Sequence, residues 1–201
     1  MIKVITFDLD GVYFPTGKKH FINSLINLGI SEQRVKEVFA NSDQMNSLYK
    51  LGKMTDEEFW TWAAQEWKLD LTWQELVELL IKGYEPDQEI VDIINRARKK
   101  GYKSAVCTSN FPARINGLQK KFSFLDNFDV KVISYEVGFN KPEIGIFQKL
   151  IEYSDVAPSE IVFADDFEMS VQNSRSLGIT TFLYENFDKY LKQLKEVGVE
   201  L

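Results

Sequence analysis

The chain has 201 residues, 44% hydrophobic and 27% charged, with a formal net charge of −6 and a pI near 5.0. That is enough apolar material for one domain, or one domain with a lid. The acidic balance excludes a general nucleic-acid surface, which needs a basic patch, and no apolar run reaches the ~18–20 residues of a membrane span.

The first element is an apolar run, Val4-Ile5-Thr6-Phe7, read as a buried strand. It ends in Asp8 and Asp10, and Gly11 permits a sharp exit. Residues 1–14 carry no basic start, apolar stretch and small-residue cleavage site, so they do not read as a signal peptide, and a cytoplasmic protein is expected. Two carboxylates at the end of a buried strand are costly unless something positive sits with them.

Residues 15–86 change texture. Phe21, Ile22, Leu25 and Ile26, then Val35, Val38 and Phe39, then Phe59, Trp60, Ala63 and Trp67, then Leu76, Val77 and Leu80 recur at three- and four-residue steps. Ser31 marks a helix start, and Thr55 with Glu58 fits a capping box. Four or five helices and no strand are expected. All four tryptophans, at 60, 62, 67 and 73, fall here and read as the core of a small bundle, with one or two available to line a cleft.

From about residue 87 strands and helices alternate. Asp87 caps a helix over 88–100. Strands are expected at 103–108, 130–134, 161–164 and 179–183, and helices at 112–121, after Lys141-Pro142, up to Leu177, and at 187–197. Alternation of this kind gives a parallel sheet covered on both faces. Cys107, the only cysteine, lies in an apolar run and reads as an inert buried thiol. It leaves no disulfide framework or zinc cluster, and the only histidine, His20, has no supporting motif.

Three strands end in polar groups: Asp8/Asp10, Ser109/Asn110 and Asp165/Asp166. In an open parallel sheet, ligands bind outside the carboxyl ends of strands. Lys141, placed at the start of a helix after Gly138, completes a set that suits a phosphate and a hard cation. Mg²⁺ takes one or two carboxylates, substrate phosphate and waters. A lysine neutralises phosphoryl charge, and a hydroxyl and an amide can bond phosphate oxygens.

DLDGV at 8–12, VCTSN at 106–110, GFNKP at 138–142 and VFADD at 162–166, in this order, resemble the four motifs of the haloacid dehalogenase superfamily, in its phosphatase branch. The resemblance implies an α/β fold: a Rossmann-like parallel sheet core over 1–14 and 87–201, with a small α-helical cap domain at 15–86 inserted after the first motif. It also implies roles. Asp8 matches the nucleophile that becomes phosphorylated and a Mg²⁺ ligand. Asp10 matches the general acid/base, with its backbone carbonyl on the metal. Ser109 matches the phosphate-binding hydroxyl with Asn110 beside it, and Lys141 the lysine that steadies nucleophile and phosphate. Asp166 matches the acidic metal ligand, and Asp165 a ligand or its supporting partner. Superfamily dehalogenases usually lack a second aspartate in the first motif, so Asp10 favours phosphate chemistry.

Two departures stand out. Ser170 replaces the more usual Asp or Asn four residues after Asp166, and Tyr13-Phe14 replaces an aliphatic pair where the chain enters the cap. The rings read as hinge packing or as a substrate contact. Thr16, Lys18, Tyr49, Lys50 and Arg114 are candidates for reading the substrate, each more simply a solvated surface residue.

The function expected is a Mg²⁺-dependent phosphomonoester hydrolase of a small phosphorylated metabolite, acting through an aspartyl-phosphate as a monomer or dimer. LGKMTDEEFW (51–60) resembles the cap of the small sugar-phosphate phosphatases and of the phosphatase-like amino-terminal domain of epoxide hydrolases, which implies a sugar phosphate as one such substrate. The alternatives are a sugar phosphomutase on the same chemistry and a non-catalytic phosphate-binding scaffold. A receiver domain is set aside, because there the acidic pair ends the first strand and the phosphorylated aspartate a later one. Here the adjacent pair Asp165/Asp166 comes last, with Lys141 before it, and a helical insert over 15–86 is present that receivers lack.

Overall fold

The computed structural model describes residues 1–201. Strand β1 (Val4–Phe7) leads into four insert helices, α1 (Gly17–Asn27), α2 (Glu32–Phe39), α3 (Asp56–Trp67) and α4 (Trp73–Lys82). The chain then alternates through α5 (Gln88–Lys99), β2 (Lys103–Thr108), α6 (Pro112–Phe122), β3 (Val130–Ile133), a short α7 (Ser134–Val137), α8 (Ile144–Ser154), β4 (Ile161–Asp165), α9 (Glu168–Ser176), β5 (Thr180–Leu183) and α10 (Phe187–Glu196). The strands form one parallel sheet in the order β3-β2-β1-β4-β5. This is an α/β, Rossmann-like fold. No helix is long and apolar enough to cross a membrane.

Strand alternation sorts the core. Val4, Ala105, Cys107, Ile161 and Phe163 join Ile146, Phe147 and Leu150 of α8 on one face. Ile5, Phe7, Val106, Val162 and Ala164 join Ile90, Ile93 and Ile94 of α5 and Tyr190 and Leu194 of α10 on the other. Cys107 is a buried free thiol. The predicted strands are met within a residue or so. The 130–134 strand stops at Ile133 because Ser134 opens α7.

Helix starts follow the side-chain chemistry. Thr55 with Glu58 and Thr72 with Glu75 each close a reciprocal capping box. Ser31 accepts from the Arg34 N–H, and Asp87 from Glu89 and Ile90. Between α2 and α3 a wide turn over Gln44–Leu48 runs into a tight one over Tyr49–Leu51, a stretch with no helical period to read in the sequence.

The second apolar cluster runs without a break into the insert, through Phe21, Phe39, Trp60, Trp67, Leu76 and Leu80. Phe111, just past β2, stacks on Tyr49 with ring centres 4.8 Å apart and meets Trp60 and Phe39 at 6.0 and 6.1 Å. The Asp56 carboxylate accepts from the Ala113 N–H at 2.9 Å, and Asn140 Nδ2 donates to the Asn46 carbonyl at 2.6 Å. Tyr13 and Phe14 are buried against Phe124, Phe128 and Tyr84. They pack the junction, which is the simpler of their two readings.

Candidate active site

β1 is bonded on both sides, by β2 and β4, so its carboxyl end opens at the middle of the sheet. Asp8 follows it directly and is buried. Its Oδ1 accepts from the Leu9 N–H at 2.7 Å and pairs with Lys141 Nζ at 2.8 Å. Lys141 Nζ also reaches Asp165 Oδ2 at 2.5 Å. One ammonium thus bridges two buried carboxylates, which is what makes their burial tolerable. Burial pushes the Asp8 carboxyl up to about 7 while Lys141 pulls the other way. Burial also works against the Lys141 charge, but Asp8 and Asp165 outweigh it and raise its pKa.

The sequence placed Lys141 at a helix start. It lies instead in the loop before α8, because Glu143 is still extended. Its N–H donates to Ser109 Oγ at 2.7 Å, so the second and third motifs are joined through one hydroxyl. That hydroxyl keeps its proton for an anion.

Asp166 lines the same cavity, raised in pKa by burial and by Asp165. Gly11 makes its approach possible. At φ +77° a side chain is already strained, and a Cβ there would lie 2.3 Å from Asp166 Oδ2. The glycine of the first motif therefore admits the acid of the fourth.

Oxygens of Asp8, Asp165 and Asp166 lie within 4.8 Å of one another. Hard oxygen donors around a small gap fit Mg²⁺. Ser170 adds to the fit, since its hydroxyl is buried, has no partner and belongs to the cavity wall. Asp165 is the least free of the three acids. It is fully buried, with Oδ2 on Lys141 and Oδ1 accepting from the Phe167 N–H at 2.8 Å. Asp8 and Asp166 are left as the carboxylates that could hold the ion.

The cavity, about 220 Å³, is lined by these groups and by Lys18, Lys50, Thr108 and Phe167. A cleft of about 470 Å³ adjoins it and shares Asp10, Lys18 and Asp166. Lys50 donates to Asn46 Oδ1 at 3.1 Å, and burial lowers its pKa to about 8. None of the four tryptophans lines either space.

Asn110 does not reach the cavity. Its Nδ2 donates to Thr108 Oγ1, its Oδ1 accepts from Arg114 Nε at 2.6 Å, and its N–H is held by Ser134 Oγ. Its side chain supports the loop, so an amide–phosphate contact is not what this arrangement offers. Arg114 corrects the surface reading further. It is 3% exposed, and its Nη2 donates to Asp10 Oδ2 at 2.6 Å. The hint was a cation in the first turn of α6, against the helix dipole, but its partner lies 104 residues away. Tyr49 is likewise core, bonded to Asp56 and Trp60. Thr16 and Lys18 are exposed.

A family model described as haloacid dehalogenase-like hydrolase matches residues 2–172. The chain is 26% identical to a D-ribitol-5-phosphate phosphatase of Bacteroides thetaiotaomicron, over 96% of this chain and 97% of that one. It is 31% identical over half its length to mouse bifunctional epoxide hydrolase 2, of which the match covers 19%. A haloacid dehalogenase family enzyme from Bacteroides thetaiotaomicron, solved with magnesium and inorganic phosphate, superposes with a TM-score of 0.80 at 22% identity, covering 94% of this chain and 99% of that one. The chain belongs to the haloacid dehalogenase-like hydrolases. It is an enzyme of that family, and its relatives place it with the phosphatases, which use magnesium.

Proposed function

We propose that this enzyme is a Mg²⁺-dependent phosphomonoester hydrolase of a small phosphorylated polyol or sugar, acting through an aspartyl-phosphate at Asp8. The observation that carries the reading is the Lys141 ammonium bridging Asp8 and Asp165 at the sheet's carboxyl end, with an oxygen of Asp166 within 4.8 Å of theirs. The similarity to a D-ribitol-5-phosphate phosphatase over nearly the whole of both chains supports the substrate class.

Asp8 Oδ2, which has no protein partner, attacks phosphorus, and the bond from phosphorus to the ester oxygen breaks. Asp10 gives its proton to the departing oxygen. It then takes one from the water that attacks the acyl-phosphate, and inorganic phosphate leaves with Asp8 restored. Ser109 Oγ and Lys141 hold the phosphoryl oxygens as charge builds on them. The Asp8 and Asp166 carboxylates and the Asp10 backbone carbonyl would hold Mg²⁺, which supplies charge neutralisation on the phosphoryl group. Residues 15–86 act as the cap domain of this site, contributing Lys18 and Lys50, with 1–14 and 87–201 as the catalytic core. A cytoplasmic setting suits a phosphorylated metabolite and a free thiol.

The test is phosphate release from a panel of sugar, polyol and p-nitrophenyl phosphates, with Mg²⁺ and with EDTA. Metal-dependent turnover of an alkyl phosphate is expected. Silence across the panel with Mg²⁺ present would overturn the reading.

A further inference from the structure

The Arg114 guanidinium has three partners from three separate segments. Nη2 donates to Asp10 Oδ2 at 2.6 Å, at the exit of β1. Nε donates to Asn110 Oδ1 at 2.6 Å, at the exit of β2. Nη1 donates to the Tyr84 hydroxyl at 2.9 Å, where the insert returns to the core. Its carbon sits 4.8 Å over the Phe111 ring. A planar fork with fixed donor directions, closed on three sides, admits essentially one placement.

Tyr84 is itself wedged. It is fully buried, meets Phe14 edge-on at 5.7 Å, and fills the space where a Cβ on Gly17 would come within 2.2 Å. Phe14 and Gly17 belong to the outgoing crossing between core and insert, and Tyr84 to the returning one. Both crossings therefore close on the ring whose hydroxyl ends on Arg114.

We propose that Arg114 is the positioning residue for Asp10, and that through Tyr84 it ties the Asp10 carboxylate to both crossings between core and insert. Binding Oδ2 leaves Oδ1, which has no protein partner, as the oxygen that exchanges the proton. A buried guanidinium loses its compensation if the carboxylate swings away, so the pair resists that motion. This inference rests on the acid/base role given to Asp10 above.

The test compares kcat/KM on p-nitrophenyl phosphate, whose leaving group needs no proton, with kcat/KM on the best alkyl phosphate of the panel, D-ribitol 5-phosphate being the first choice. The variants are Arg114→Lys, Tyr84→Phe, Asp10→Asn and the Arg114→Lys/Asp10→Asn double. Melting curves confirm that each is folded, and Tyr84→Phe removes only one hydroxyl where Arg114→Lys proves unstable. Arg114→Lys should lose about 10–100-fold on the alkyl ester and less than about threefold on p-nitrophenyl phosphate. Tyr84→Phe should show the same selectivity at smaller size. The double variant should be no slower than Asp10→Asn alone, because residues acting as a unit are not additive. Equal losses on both esters in Arg114→Lys, or a double variant slowed by the product of the singles, would overturn the inference while leaving Asp10 its role. Equal losses on both esters in Asp10→Asn would instead remove that role and the inference with it.

Discussion

At the carboxyl end of the sheet, Asp8, Asp165, Lys141, Asp10 and Arg114 are buried or half-buried, and their charges face opposite charges at 2.5–2.8 Å. In the insert, Phe21, Phe39, Trp60 and Trp67 pack at centre distances of 4.9–6.3 Å with no charge among them. The difference lies in what one deletion leaves behind. Removing an apolar side chain leaves a cavity. Removing one ion of a buried pair leaves the other uncompensated, and its cost exceeds anything the pair contributed to stability. The sheet end is therefore organised for chemistry and the insert for cohesion.

The sharpest separation is expected at Asp8. Asp8→Asn keeps the shape but cannot form the acyl-phosphate, so turnover should fall by about 10⁴-fold or more while the melting temperature barely moves, because Lys141 keeps Asp165 as its partner. Steady-state rates and a melting curve check this, and full activity would sink the proposed mechanism. Lys141→Ala should lose activity and stability together. Stranding Asp165 should cost about 3–5 kcal/mol, roughly a 10 °C fall in melting temperature for a chain of this size.

Leu76→Ala is the matching deletion in the insert. Leu76 is fully buried on α4, and the cavity should cost about 2–5 kcal/mol with kcat within about threefold of the parent. If Leu76→Ala silenced the enzyme as fully as Lys141→Ala, the contrast between the two regions would fail. The smallest effect is expected at Ser170, whose hydroxyl is buried without a partner on the cavity wall. Ser170→Ala should weaken Mg²⁺ activation by about tenfold at most, read as the metal concentration giving half-maximal rate.

The two regions also differed in how far the sequence could be read. Strand ends and caps are local. An apolar run stopped by Asp8, or Thr55 followed by Glu58, states its structure within a few residues, and so the sheet and most insert helices were legible. The four motifs marked the site for the same reason, and the groups at 8, 109, 141, 165 and 166 meet at one cavity. What was not legible depends on pairs far apart in the chain. Arg114 looks like a solvated helix residue until Asp10 and Tyr84 are brought to it, and Asn110 looks like a phosphate ligand until Arg114 takes its oxygen. Tyr49 and Lys50 sit in the irregular 44–51 turn, where no helical period marks which side faces inward.

The central claim is that Asp8 carries the phosphoryl group, and the most direct measurement is to trap it. The enzyme would be acid-quenched during turnover of the best substrate with Mg²⁺, then digested and examined by mass spectrometry for phosphate on the peptide containing Asp8. The prediction is a phosphorylated Asp8 peptide in the parent enzyme, more of it in Asp10→Asn supplied with p-nitrophenyl phosphate, whose transfer needs no acid while hydrolysis still lacks its base, and none in Asp8→Asn. Continued turnover by Asp8→Asn, or phosphate found on a different residue, would contradict the account.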